Sequence, residues 1–234
     1  MLKIIICGIN GAMGKQIYDV ATAKNHQIVC GIDKVTMSNF DCPVYNDFDQ
    51  IKQLADVIVD FSSPSVLSPL LAYATSNSIP LVIGTTGHSK TQEKEVLSAS
   101  KQIPIFKASN TSVGVNYFIQ LCSLASKLFS GYDVEIIEKH HKNKKDSPSG
   151  TARLIYDEIA KFSTPLTKSQ IHSLRGGTVV GDHSVTFLGD NESITLTHSA
   201  QSKKLFADGA IKACEFILTK KHGLYTMNNL TNNV

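Results

Sequence analysis

The stretch "KIIICGINGAMGKQI" (residues 3–17) decides the fold. A β-branched apolar run passes directly into glycines at positions 8, 11 and 14, and then into a segment with helical spacing. A strand that is apolar on both faces, closed by a glycine turn and followed by a helix, is how a βαβ unit opens. The three glycines have separable uses. Gly8 makes the tight turn, Gly11 lets the backbone approach a pyrophosphate, and Gly14 lets the helix close on the sheet with the phosphates at its N-terminus. The spacing is GxxGxxG, with Asn10 where the commoner fingerprint has its middle glycine. Context gives the loop its weight: Asp33 ends the second apolar run about 20 residues on, where a carboxylate accepts from a ribose 2′-hydroxyl. Lys34 beside it can pair with a 2′-phosphate, so the two suit NADH and NADPH alike.

Working outward, "QIVCGID" (27–33), "ADVIVDF" (55–61), "PLVIGTT" (80–86) and "IPIFKAS" (103–109) read as further buried strands. Helical stretches at 12–24, 63–77 and 89–101 separate them, the last opening on a Ser-then-acid entry. Alternation of this kind predicts an α/β fold with a Rossmann-like, doubly wound parallel sheet. The character changes after residue 110. A long amphipathic helix over 113–131, ended by Gly131, leads to the strand "DVEIIEKHH" (133–141) and a helix over 150–162. The segment "HSVTFLGDNESITLTHS" (183–199) alternates with period two around a "GDNE" turn, which is an antiparallel hairpin. The expectation is a second, smaller α+β domain with a mixed, largely antiparallel sheet. Residues 205–227 read as a helix stopped by Gly223 that returns to the first domain. The boundaries are therefore 1–110, completed by 205–234, for dinucleotide binding, and 111–204 for substrate binding and oligomerisation.

Composition excludes other classes. With 42% hydrophobic and 18% charged residues the chain is globular, and a net charge of +3 is too small for a dedicated nucleic-acid binder. Five cysteines, odd in number and without a CxxC pair, read as thiols of a reducing compartment. The opening "MLKIIICGIN" is too short in apolar length for a signal peptide, and no run approaches the ~20 residues of a membrane span. A cytoplasmic protein that binds no membrane is expected.

Three loops fall at the carboxyl ends of strands, where an open α/β sheet binds its ligands. "DFSSP" (60–64) reads as ordinary capping, with Ser62 or Ser63 before Pro64. "GTTGH" (84–88) has more glycine than a cap needs and reads as a nicotinamide-ribose contact, as does "ASNTSVGVN" (108–116). The cluster "EKHHKNKKDSPSGT" (138–151) raises the chemical question. Adjacent histidines lack the spacing that converges on one metal ion, so no metal site is expected. Acidic flanks and the lack of interleaved aromatics argue against nucleic acid. On a strand over 133–141, His140 and His141 point to opposite faces and cannot share one role there. Lys142, Lys145, His172, His183, His198 and His222 read as solvated or structural.

Together these motifs resemble the dihydrodipicolinate reductase family over nearly the whole chain: "GxxGxMG", "DFS.P", "GTTG", "N.SVGVN", "E..EKHH…K.D.PSGTA", "R.G…G.H" and "LTH.A.S…FA.GA". Ala12 replaces an arginine common in the family, and Thr111 stands where an aromatic is frequent. The stretch before "RGG" is short, as in compact bacterial members. The resemblance implies reduction of a ring imine bearing two carboxylates, by NADH or NADPH, in lysine and diaminopimelate biosynthesis. It implies His140 as general acid/base, Lys144 as donor of a proton or charge, and His141, Ser149, Gly150 and Thr151 as substrate contacts. Cofactor contacts would come from Gly8, Ile9, Asn10, Gly11, Ala12, Met13, Asp33, Lys34, Gly84, Thr85, Thr86, Ala108, Ser109, Asn110 and Thr111. A homotetramer is also implied. Two other readings keep the glycine loop: another two-domain NAD(P)-dependent small-acid dehydrogenase, and a non-catalytic NAD(P)-sensing regulator. Neither has a use for the 138–151 block.

Overall fold

The computed structural model describes residues 1–37, 39–162 and 170–231. Part of the short stretch before "RGG", residues 163–169, therefore lies outside the described residues. The chain divides into two compact units, Met1–Ser112 with Lys204–Val234, and Val113–Lys203.

The first unit is built on one parallel sheet. Its elements are β1 (Lys3–Cys7), α1 (Ala12–Ala23), β2 (Gln27–Ile32), β3 (Val44–Tyr45), β4 (Val57–Asp60), α2 (Leu67–Ser76), β5 (Leu81–Ile83), α3 (Lys90–Ala99) and β6 (Pro104–Lys107). In the second unit come α4 (Val113–Leu128), β7 (Asp133–His140), α5 (Gly150–Ile159), β8 (Ile171–Arg175), β9 (Gly181–Leu188) and β10 (Ser193–Ala200). The chain then returns to the first unit as α6 (Lys204–Ile217), β11 (Gly223–Tyr225) and α7 (Met227–Thr231).

Seven strands run in the order β11-β6-β5-β4-β1-β2-β3, every pair parallel. The strand order reverses direction beside β1, which puts the crevice for a ligand at the end of that strand. Central strands covered on both faces must be apolar throughout. Ile4 to Cys7, Val57 to Val59 and Leu81 to Ile83 are accordingly all fully buried. The Ser89 entry to α3 closes a capping box, although its partner is the amide of Gln92 and not an acid. Expectation and structure part at the C-terminus. The helix read over 205–227 ends at Ile217, and Gly223–Tyr225 pairs with β6 as a seventh strand. A three-residue edge strand leaves too short a pattern to separate from a helix tail. The two-residue β3 escaped notice for the same reason. Small residues bring α6 close to the rest of this unit: Ala207, Ala210 and Ala213 are fully buried, and a Cβ on Gly209 would meet the Thr111 carbonyl oxygen at 1.7 Å.

The second unit carries a four-stranded sheet in the order β10-β9-β7-β8. It is mixed: β7 and β8 are parallel, the other pairs antiparallel. The hairpin pairs Ile194 with Phe187 and Leu196 with Val185. Period-two alternation sends Val134, Ile136, Val185 and Phe187 to the buried face. Ile137, Leu174 and Leu188 remain exposed. The helix over 113–131 stops at Leu128, and Gly131 is absent from the glycines with positive φ, so it is no left-handed cap. Strand β8 was not anticipated, because its "IHSLR" pattern is half-buried at a sheet edge.

Candidate active site

In the first unit the glycine loop is shaped by close backbone contacts. Gly8 has φ +79°, a left-handed conformation, and a Cβ there would also lie 2.6 Å from the Phe61 carbonyl oxygen. A Cβ on Gly14 would lie 2.1 Å from the Gly8 carbonyl oxygen, so only glycine lets α1 start this close to the sheet. Gly11 occupies the N-cap with extended backbone, no side chain caps the helix, and no acidic residue stands in its first turn. The open N–H groups and the helix dipole favour an anion there. These features fit the pyrophosphate of a dinucleotide.

Asp33 braces the loop from the end of β2. Its Oδ2 accepts from the Asn10 backbone N–H at 3.0 Å, and the Asn10 side-chain amide donates to the Val35 carbonyl at 2.7 Å. A cleft of about 710 Å³ opens beside them, lined by Gly8, Asn10, Gly11, Asp33, Lys34 and Ser62 among others. Asn46 and Asp47 also line it and were not singled out from the sequence. Their signal was slight, since β3 holds only two residues.

Other expected cofactor contacts separate into groups. Ile9 is fully buried, and its side chain packs where a Cβ on Gly31 would go, so it shapes the loop from beneath. Ala12 is exposed and Met13 half-buried in the first turn of α1. Gly84 has a packing reason for being glycine, as a Cβ would lie 2.2 Å from the Phe61 ring. Thr85 is buried and accepts from the Ser62 N–H at 2.8 Å, tying the "GTTG" loop to "DFSSP". The expected capping by "DFSSP" is not made: the Ser62 hydroxyl turns back to Asp60, and Ser63 makes no side-chain cap bond. Asp60 is itself buried, and that burial pushes its carboxyl up despite bonds from Ser62 and Thr85. Thr86 and Ser109 are exposed, and Ala108 and Asn110 half-buried. Thr111 is buried with its hydroxyl donated to the Phe206 carbonyl at 2.8 Å, which makes its side chain a packing group. The residues 84–86 and 108–111 do not line the 710 Å³ cleft.

In the second unit the centre is a residue that sequence reading passed over. Alternation along β7 places Val134, Ile136, Glu138 and His140 on one buried face. Glu138 has no exposed side-chain surface. Its Oε1 accepts from Arg175 Nη2 at 2.7 Å and from the Ser149 N–H at 3.1 Å. Its Oε2 accepts from Arg175 Nη1 at 2.9 Å and meets His140 Nδ1. Burial by itself would raise this carboxyl; the bonds from Arg175, Ser173, His140 and Ser149 outweigh it and hold the pKa at about 2. A buried carboxylate survives only when paired in this way. The available signal was parity, since Glu138 lies two residues before His140 on an inward-facing strand. Arg175 had no local signal.

His140 is 7% exposed, and burial pushes its imidazole down against the pull of Glu138, with Lys144 and Arg175 adding to the fall. A Cβ on Gly181 would lie 2.9 Å from His140 Nε2, so that nitrogen is uncovered only because 181 is glycine. His183, read as structural, stands edge-on to His140 with ring centroids 5.3 Å apart. Its Nε2 lies 3.3 Å from Ser149 Oγ, and burial pushes its pKa down to about 4. Lys144 is ion-paired with Asp146 at 2.9 Å and partly covered, whereas Lys142 and Lys145 are exposed. His141, one residue beyond β7, is half-buried. Ser149, expected as a substrate contact, is held within the protein at the start of α5. It is 1% exposed, its N–H is taken by Glu138, and its hydroxyl accepts from the Ala152 N–H as the N-cap of α5. Gly150 is exposed and Thr151 half-buried in the first turn of that helix. Among the described residues no group of three or more His, Cys, Asp or Glu could hold a metal ion.

Comparison with known proteins matches both units. The family model described as "Dihydrodipicolinate reductase, N-terminus" matches residues 2–111, and that described as "Dihydrodipicolinate reductase, C-terminus" matches residues 114–231. The 4-hydroxy-tetrahydrodipicolinate reductase of Caldanaerobacter subterraneus subsp. tengcongensis is 44% identical over 98% of each chain. That of Staphylococcus aureus is 38% identical over 98% of this chain and 100% of its own. Among solved structures, a dipicolinate-bound dihydrodipicolinate reductase from Paenisporosarcina sp. TG-14 superposes with a TM-score of 0.81 at 23% identity, over 98% of this chain and 99% of its own. Aspartate dehydrogenase from Thermotoga maritima reaches 0.53 at 11% identity, over 92% of this chain and 96% of its own, which is a likeness of fold.

Proposed function

The chain belongs to the dihydrodipicolinate reductase family, and on that premise we propose that it reduces 4-hydroxy-tetrahydrodipicolinate with NADH or NADPH, His140 serving as general acid/base. This is a step of lysine and diaminopimelate biosynthesis. The observation that carries the reading is the buried arrangement of His140 on Glu138 and Arg175, beside a partly covered Lys144. A solvated basic loop would not bury a carboxylate to orient an imidazole.

The residues of the first unit hold the cofactor. The Gly8–Gly11 backbone and the start of α1 take the pyrophosphate, and Asp33 and Lys34 face the adenosine ribose. A bound reduced nicotinamide supplies a hydride to a ring carbon conjugated with the imine. This chain's part is to bind a dianion and deliver a proton. In the free protein burial keeps His140 neutral more readily than usual. A dianionic ligand beside it adds negative charge, favours the imidazolium, and so loads the acid when substrate arrives. Lys144 is the cation for a substrate carboxylate, exchanging Asp146 for it, with His141, Gly150 and Thr151 alongside.

The apolar set on the outer sheet face, Ile137, Leu174 and Leu188, supports assembly of copies through this sheet, and a homotetramer is the expected state. The cytoplasm is the expected compartment; among the described residues no helix is long and apolar enough to cross a membrane.

The test is an assay with freshly generated substrate, following NADH and NADPH oxidation separately. Turnover with at least one cofactor is expected, and His140→Gln should lose about 100- to 10,000-fold in kcat while still binding cofactor. Cofactor binding without turnover would sink the reading in favour of a sensor.

A further inference from the structure

We propose that Glu138 is a positioning residue, holding His140 in the tautomer that carries its proton on Nδ1 and leaves Nε2 to act on substrate. The proposal rests on the assignment of His140 as acid/base. Hydrogen-bond accounting carries it. Besides the Ser173 hydroxyl, which donates to the ionised carboxylate, Glu138 has four partners, of which two are guanidinium N–H groups of Arg175 and one is the Ser149 backbone N–H. Those three can only donate. An ionised carboxylate can only accept, and the low pKa of Glu138 keeps it ionised. The fourth partner, His140 Nδ1, therefore has to donate as well. A neutral imidazole has one N–H, so Nε2 is bare.

The surroundings agree with that direction. Nε2 is the nitrogen that faces Gly181, where any side chain would lie 2.9 Å away and cover it. His183 stands edge-on to the ring and limits its rotation. The groups that set its charge come from every packed element: Glu138 on β7, Arg175 on β8, His183 on β9, and Lys144 with Asp146 in the following loop. Arg175 also donates to the Asp146 carbonyl at 2.7 Å, so one guanidinium anchors both the carboxylate behind His140 and the loop bearing Lys144. Ser149, on the opposite side of the carboxylate, completes the clamp.

Two measurements decide it. Nitrogen-15 NMR of the full chain labelled at histidine, with His140 identified by its loss in His140→Gln, should show Nδ1 protonated and Nε2 bare above the pKa of that ring. Finding the proton on Nε2 would overturn the proposal without any reference to activity. Glu138→Gln should move it there, because the amide oxygen stays with Arg175 and the amide N–H₂ then donates to Nδ1. A wrong tautomer behind an intact catalytic geometry has cost about 10,000-fold in kcat in a well-studied carboxylate–histidine pair. A loss of that order is expected here, with cofactor binding unchanged and KM little altered. Glu138→Gln combined with His140→Gln should be no slower than His140→Gln alone. If folded Glu138→Gln keeps kcat within tenfold while His140→Gln loses it, the positioning role is wrong. Should His140→Gln itself keep its turnover, the assignment of His140 fails, and the tautomer still decides whether Glu138 governs the ring. If Glu138→Gln does not fold, the tautomer in the unsubstituted chain settles the matter.

Discussion

Acid should destabilise the second unit in a way traceable to one ring. His183 is 4% exposed, and its pKa is pushed from an ordinary 6.5 down to about 4, chiefly by burial and then by His140. The fold thus accepts the neutral form and resists the charged one. Between pH 6.5 and about 4 the unfolded chain binds more protons than the folded chain, so stability is fully present above that window and falls as pH drops through it. At about 1.4 kcal/mol for each tenfold in proton affinity, the loss amounts to about 3 kcal/mol. That is a sizeable part of the 5–15 kcal/mol that typically separates folded from unfolded domains. His183→Phe keeps a ring of similar shape and removes the titration. It forfeits the bond to Ser149 Oγ, a pH-independent offset of about 1 kcal/mol. The assay is urea unfolding by circular dichroism at pH 7 and pH 4, with amide exchange in β9 and β10 to isolate this unit. From pH 7 to pH 4 the unsubstituted chain should lose about 3 kcal/mol more than the variant. Equal losses in both would mean that His183 is not the buried base described here. Glu138 adds a lower stage. Its depressed pKa of about 2, against an ordinary 4.5, contributes stability that is present above pH 4.5 and disappears toward pH 2.

Other expectations follow from the same contacts. Gly14→Ala should lower both stability and cofactor affinity, since its Cβ would strike the Gly8 carbonyl at 2.1 Å; in Gly11→Ala the nearest atom is 3.1 Å away, so cofactor affinity should fall with Tm nearly unchanged. Equal Tm losses would show that Gly11 serves packing too. Asp33→Ala should weaken NADH more than NADPH and Lys34→Ala the reverse, each by tenfold or more if the charge-assisted contact is worth about 1.5–3 kcal/mol; titrations with no difference between cofactors would remove both residues from the ribose. Lys144→Ala should raise KM and lower kcat, whereas exposed Lys142→Ala should leave both alone. Comparable damage from the two would replace residue-specific roles with a diffuse positive field. Light scattering at micromolar concentration should report a tetramer, and a monomeric mass would reject assembly through the exposed sheet face.

What could be read from the chain in isolation was whatever is local or periodic. Near-continuous apolar runs separated by helical spacing specified parallel strands covered on both faces, and the Gly8, Gly11 and Gly14 spacing marked the turn into α1. Period two also determined that Glu138 and His140 share a face, because that follows from strand geometry alone. Tertiary structure decided what that face meant. A glutamate on a strand is ordinarily solvated; this one is buried because Arg175, 37 residues away, reaches it from a strand that the sequence barely announces. The same holds for Ser149, whose place before a helix announces a cap but not that Glu138 takes its N–H. Thr111 looks like a loop residue near a cofactor until α6 returns to accept its hydroxyl at Phe206. Burying a charge or a hydroxyl is favourable only with a partner in place, and partners far apart in sequence leave no periodic trace. Element types and faces are therefore local information, while the ionisation and tautomer of the site belong to long-range pairing.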